Sequence, residues 1–387
     1  MYININQNVN SAEPINYKII ELLYNLSNKY NSNNDYIQYI GNLITNYSYS
    51  DSRDYLILKY NNLFINILIE NYLRIDPEVF KIFMENNISS DGEGITLSDF
   101  NKQINTSLFY KFNENEYIID CTSFQYFTNI EGDLLYNNGP FYNCINLKRI
   151  ILPQPIKKLK KVYYSSHGIF EGCTSLEYCK IMNSTVTDLG TFTFFNCTNP
   201  NLKIDLNNSP INTLNSYCFK EGKFKNLESL FINYDFNNLQ TIGQGALEYN
   251  TELESFTLYS NIKYIGAYTF AGCTNLTSFI VEENGVDVEF MGATMYGPTG
   301  SIFYQTNISR IDFYSRVTKM SNLVFGNITT ELIFRNTTPP VCQNGSDSVF
   351  RHFQGKIYVP DNLIETYKTA DGFSNVANKI YGISELL

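Results

Sequence analysis

A chain of 387 residues, 43% of them apolar, is long enough for two or three domains or one extended repeat array, and too apolar to be disordered throughout. Its formal net charge of −10 excludes a broad nucleic-acid binder, which needs a basic footprint. No run of 18 or more apolar residues is present, so no membrane span is expected, and the opening "MYININQNVNSAEP" lacks the regions of a secretory signal.

Residues 14–86 read as helical. "INYKIIELLYNLSNKY" places Ile19, Leu22, Leu23 and Leu26 at helical spacing, and "SRDYLILKYNNLFINILIENYL" repeats the pattern with Leu56, Leu63, Ile67 and Tyr72. "DPEVFKIFMENN" opens with an N-cap candidate, Asp76, and Pro77 at the first helical position. A helical N-terminal domain is therefore expected over residues 1–90, followed by a linker and lead-in segment over 91–130. Inside this stretch, "NISSDGEGITLSDF" approaches a calcium loop. Asn87, Ser89, Asp91 and Gly92 fit its first, third, fifth and sixth positions, but Gly94 adds a residue and the closing acid, Asp99, comes one place late. A turn that keeps the shape of such a loop is the expectation, with Asn87, Ser89, Asp91 and Asp99 as a weak ligand set; no cofactor is expected.

From residue 131 the chain is periodic. Apolar anchors fall at Phe141, Phe170, Phe194, Phe219, Leu247, Phe270, Phe303 and Phe325, at intervals typical of leucine-rich repeats. Several anchors are followed by Cys or Asn and then Leu, and short strands run through "LKRIIL", "LEYCKI", "LKIDL", "LESLFI", "LESFTL", "LTSFIV", "ISRIDF" and "TELIF". Turns such as "YIGAYTF" close several units. No unit can bury its apolar edge alone, so about eight turns over 131–358 are expected to stack into one solenoid. The fold class is α+β: a helical N-terminal domain, a leucine-rich-repeat solenoid and a C-terminal cap over 359–387.

The pattern Phe-x-x-Cys-x-x-Leu-x-x-Ile-x-Leu with an Ile-Gly turn resembles the BspA-type leucine-rich repeat, most tightly in the units of Phe170 and Phe270. "DCTSFQYFTNIEGDLLYNNGPFYNC" (120–144) is similar to the segment leading into the first repeat of such Bacteroides-group proteins. "GKIYVPDNLIETYKTADGFSNVANKI" (355–380) is similar to their closing unit, a last strand and a helix over the open end, with Asp361 as its N-cap. The resemblance implies binding: such proteins are surface or secreted adhesins, or occur in phages infecting those bacteria.

The eight cysteines contain no Cys-x-x-Cys pair. Cys144, Cys173, Cys197 and Cys273 recur at one repeat position, where Asn250 replaces Cys in another unit, and this exchange points to buried structural thiols. Lys148, Arg149, Lys157, Lys158, Lys160 and Lys161 concentrate positive charge in an acidic chain, as an anionic polysaccharide or acidic protein patch would require, or as a solvated loop would allow. The longest interval, 281–305, is rich in Gly and reads as a loop leaving the solenoid or a hairpin folded over it; Met291, Met295 and Tyr296 are its candidate contacts. The outward strand positions are read as Ile151, Lys180, Asp205, Phe231, Thr257, Ile280, Asp312 and Ile333, which share no single chemistry and suit a protein partner. Neither His167 nor His352 lies in a catalytic signature, and no nucleophile elbow, phosphate loop or zinc helix is present. The expected function is non-catalytic recognition. An AT-rich vocabulary and the missing signal favour a phage virion or host-attachment component made in the host cytoplasm; the alternative is a cell-surface adhesin or an interaction protein.

Overall fold

The structure is a computed structural model. It describes residues 75–90, 95, 98–131, 139–156, 159, 167–292, 301–326, 328–343 and 349–386, together with the strands Tyr47–Tyr49, Tyr55–Tyr60 and Leu63–Leu68. These three strands form an antiparallel meander in which Tyr60 faces Leu63. The helical reading is therefore overturned at Tyr55–Tyr60 and Leu63–Leu68. "YLILKY" and "LFINIL" are short apolar runs on either side of a two-residue Asn61–Asn62 connection, which is hairpin spacing, and over such a run helical and strand periods cannot be told apart. The expected helix around Ile19–Leu26 lies outside the described residues.

Helix α1 (Pro77–Glu85) forms as its sequence dictates. Asp76 accepts hydrogen bonds from the backbone N–H groups of Glu78 (3.0 Å) and Val79 (3.4 Å), and Pro77 stands at the first helical position. Its apolar face buries Val79, Phe80, Ile82 and Phe83. Phe83 lies 5.4–6.2 Å, centroid to centroid, from the rings of Phe100, Phe112, Phe124 and Phe127. Phe112 and Phe124 in turn meet Phe141, so α1 is joined to the same core as the repeats.

The repeats lay down parallel strands on two faces. The first face runs through Asp120–Cys121, Arg149–Leu152, Tyr178–Ile181, Lys203–Asp205 and Phe231–Ile232, then the pair Ser255–Leu258 and Ser278–Val281, then Arg310–Asp312, Glu331–Ile333, Ile357–Val359 and Ile380–Gly382. The second runs from Asp188–Leu189 through Thr213–Leu214, Thr241–Ile242, Tyr264–Ile265, Val288–Phe290 and Val317–Met320 to Val341–Cys342. Between the faces, the anchors form a column. Phe141, Phe170, Phe194 and Phe219 stack 5.2–5.6 Å apart, and Phe270, Phe303, Phe325 and Phe350 continue the column at 5.6–5.9 Å. Phe350 extends the series the sequence suggested, and Phe112 begins it.

Backbone geometry identifies those two extra levels. Two residues after every anchor but Phe325, where that position lies outside the described residues, the chain turns left-handed: Glu114, Asn143, Gly172, Asn196, Glu221, Tyr249, Gly272, Gln305 and His352 all have φ between 53° and 78°. From Glu114 to Gly272 the amide of each such residue reaches across to the next repeat, as from Asn143 to Glu171 O (2.8 Å) and from Asn196 to Lys220 O (2.9 Å). At Gly272 a Cβ would sit 2.2 Å from the Tyr249 ring, so this left-handed site needs glycine for space as well as for φ.

The C-terminal unit differs from a simple capping helix. A 3-10 turn (Asp361–Leu363) leads into a short helix (Ile364–Thr369), which buries Tyr367; its hydroxyl donates to Asn336 O (3.1 Å). The chain then adds the strand Ile380–Gly382 to the first face, parallel to Ile357–Val359, so a strand is the outermost element there. Asp361 caps no helix: its carboxylate accepts from Ser384 N and Oγ, tying the last turn back to the unit.

Candidate interaction face

The first face carries the side chains that repeat stacking leaves outside. Its inward row pairs Cys121, Ile150, Cys179, Ile204 and Phe231 in register. The outward row places Ile151 beside Lys180, Lys180 beside Asp205, and Asp205 beside Ile232. The outward reading of Phe231 is thus corrected. Helix Leu227–Leu230 replaces the start of that strand and shifts its register, so Phe231 is buried against Phe219 and Tyr234 while Ile232 is 37% exposed. Thr257 stands beside Ile280, which is 52% exposed, and Asp312 beside Ile333, which is buried with its neighbour Tyr358.

Charge on this face is paired across repeats. Arg149 meets Asp120 at 2.6 Å, Lys148 meets Glu177 at 3.6 Å, Lys180 meets Asp205 at 3.2 Å, Arg310 meets Glu331 at 2.6 Å and Arg335 meets Asp312 at 2.6 Å. Burial pushes the Asp205 carboxyl up, but the Asn233 amide, the Asn207 N–H and Lys180 outweigh it and hold the group below its ordinary value. Between these ion-paired stripes, the strands Ser255–Leu258 and Ser278–Val281 present Ser255, Thr257, Ser278 and Ile280. The first face is therefore a charge-compensated surface with a central window of hydroxyl and aliphatic groups.

The remaining candidates fall in several places. Lys148 and Arg149 open the first face, whereas Lys157, Lys158, Lys160 and Lys161 lie outside the described residues. Met291 is half-buried just after the strand Val288–Phe290, and Met295 and Tyr296 lie outside the described residues. Up to residue 292 the long interval follows the repeat. Its loop is held by Arg316, whose buried guanidinium donates to the carbonyls of Leu258, Tyr259, Ser260, Ile262, Glu282 and Val286 at 2.9–3.2 Å. Asp99 is buried, accepts from Ser90 Oγ (2.5 Å) and lies 3.4 Å from Lys102 Nζ. Asn87 is the left-handed residue after α1, Ser89 follows it, and Asp91 lies outside the described residues.

All eight cysteines are buried free thiols. The four at the repeat position act alike. Cys144, Cys173, Cys197 and Cys273 donate from Sγ to the carbonyl of the preceding anchor, Phe112, Phe141, Phe170 and Leu247, at 3.0–3.1 Å. Burial pushes Cys144 up to about 12 and Cys173, Cys197 and Cys273 upward as well, so none supplies a thiolate at neutral pH. Asn250, in the same place, is fully buried and, among the described residues, has no partner for either side-chain amide atom.

Comparison with known proteins agrees with this architecture. A model of the "BspA type Leucine rich repeat region" matches in six copies, over 120–230, 165–290 and 211–332, more than half of the chain. No curated protein matches. Among solved structures, the chain is similar to a leucine-rich repeat protein from Bacteroides ovatus (19% identity, 66% of this chain and 67% of that one, TM-score 0.38). It is also similar to a leucine rich cell surface protein from Faecalibacterium prausnitzii (13% identity, 62% and 82%, TM-score 0.23). The chain belongs to the BspA-type leucine-rich repeat family, whose repeats point to protein interaction rather than catalysis.

Proposed function

We propose that this protein is a non-catalytic recognition module that binds a protein partner through the first face, centred on Ile232, Thr257, Ser278 and Ile280, and that it works at a bacterial cell surface. The observation that supports this most is the exposure of Ile232 and Ile280 amid neighbours whose charges are paired across repeats. A partner meeting this window finds the flanking charges already ion-paired and the Glu228 carboxylate accepting from Thr257 Oγ1 (3.2 Å), and the face is preformed by the repeat ladder, so little ordering entropy opposes binding. A virion or host-attachment role uses the same surface chemistry in a different location. An anionic polysaccharide would instead have to compete at Lys148 and Arg149 with their partners Glu177 and Asp120.

The test is cross-linking of the purified chain to intact host cells, with the partner identified by mass spectrometry and its affinity then measured for Ile280→Arg. A tenfold or greater loss with unchanged thermal stability is expected. Unchanged affinity would remove the first face from the reading. Fractionation of cells and purified phage particles decides the location.

A further inference from the structure

The loop held by Arg316 carries a reactive dipeptide. Of the three Asn-Gly pairs in the chain, Asn284–Gly285 alone lies wholly among the described residues. Asn284 is exposed, in the turn that follows the strand Ser278–Val281. Among the described residues, no group accepts a hydrogen bond from the Gly285 N–H or partners the Asn284 carboxamide. Glycine is required at 285 for space: a Cβ there would sit 2.3 Å from Arg316 Cζ. The guanidinium that anchors the loop thus sets, directly after Asn284, the residue whose amide is least hindered in attacking the preceding side chain.

We infer that Asn284 is a self-modification site, at which spontaneous conversion to isoaspartate loosens the hold of Arg316. Water is the only co-reactant. The Gly285 nitrogen loses its proton to solvent and attacks Asn284 Cγ; the N–Cγ bond forms, the Cγ–Nδ2 bond breaks, and Nδ2 takes up a proton and leaves as ammonia. Water then opens the cyclic imide. Addition at the main-chain carbonyl carbon of Asn284, the more electrophilic of the two, breaks its bond to the Gly285 nitrogen, so the chain runs through Cγ and is one methylene longer. Addition at Cγ gives aspartate and leaves the chain length unchanged. The extra methylene falls between Glu282 and Val286, whose carbonyls both accept from Arg316 at 3.0 Å. Lengthening a segment pinned at both ends by one planar cation displaces at least one carbonyl. A guanidinium so released no longer holds the neighbouring loop, at Leu258, Tyr259, Ser260 and Ile262.

The test follows the full-length protein as it ages in mildly alkaline buffer. Peptide mapping with electron-transfer fragmentation, which separates isoaspartate from aspartate, compares Asn284 with Asn275, also exposed in a turn but followed by Leu276. Asn284 is expected to convert at least tenfold faster than Asn275, with isoaspartate as the larger product. Hydrogen exchange in residues 258–262 is expected to rise in step with it. In Asn284→Gln, whose cyclisation needs a slower-closing six-membered ring, exchange there should stay at its fresh level over the same time. A rate less than tenfold above that of Asn275 overturns the inference, as does aspartate as the larger product. Conversion to isoaspartate without faster exchange in 258–262, or faster exchange that also appears in Asn284→Gln, overturns the link to Arg316.

Discussion

The rung at Phe170–Cys173 and the rung at Leu247–Asn250 share a backbone but not an interior. Both turn left-handed two residues after the anchor, at Gly172 and Tyr249, and both send that amide to the next repeat, to Phe195 O (2.9 Å) and Ala271 O (2.8 Å). The first fills its centre with a stacked phenyl ring and a thiol bonded to a carbonyl; the second substitutes an isobutyl group and an amide with no partner. The ladder of backbone hydrogen bonds thus sets the shape of the turn, and the side-chain column sets how strongly each turn is held. A repeat protein tolerates one weak rung because each unit answers only to its neighbours.

Four substitutions and one titration press on that contrast. Phe194→Ala, in the middle of the regular stack, leaves a ring-sized cavity between Phe170 and Phe219 and should cost about 4 kcal/mol in chemical denaturation. Arg316→Met, beyond the weak rung, strands six carbonyls that share one guanidinium. A loss of about 3 kcal/mol is expected, with hydrogen exchange rising first in residues 258–262 and 282–286; uniform exchange across the solenoid would contradict a local role. Asp76→Ala removes a carboxylate that caps α1 with one oxygen and the Ile119–Asp120 edge with the other, and should cost about 2 kcal/mol. Asn250→Cys restores the thiol of the regular rung and should raise stability by about 1 kcal/mol; a loss would mean that the amide has a partner in solution.

The smallest effect is acid lability at Asp205. Its folded pKa lies below the ordinary 3.8, so its contribution is present above the unfolded value and fades as pH falls through the folded one. Asp205→Asn should therefore flatten the fall in melting temperature below about pH 4, measured by differential scanning calorimetry.

The anchors were legible because burial selects them: Phe141, Phe170, Phe194, Phe219, Leu247, Phe270, Phe303 and Phe325 are all fully or almost fully buried. Phe112 and Phe350 escaped notice since Asn115 is followed by Ile118 in place of Leu and Phe353 stands where Cys or Asn would, and their shared left-handed turn falls on Glu114 and His352, residues with no glycine to mark it. Phe231 was misplaced because a short helix moved the strand by one residue, a tertiary choice that alternation cannot foresee. The face itself was harder to read than the core. Inward positions repeat one chemistry, whereas Ile232, Thr257 and Ile280 acquire meaning only from their neighbours across the sheet.

The eight sealed thiols have a consequence for where such a molecule can operate. None depends on a covalent partner, and none offers a thiolate to glutathione or to an oxidant. Its folded form therefore has no preferred redox compartment: the same architecture survives a reducing cytosol and an oxidising exterior, and passage between them requires no oxidative maturation step.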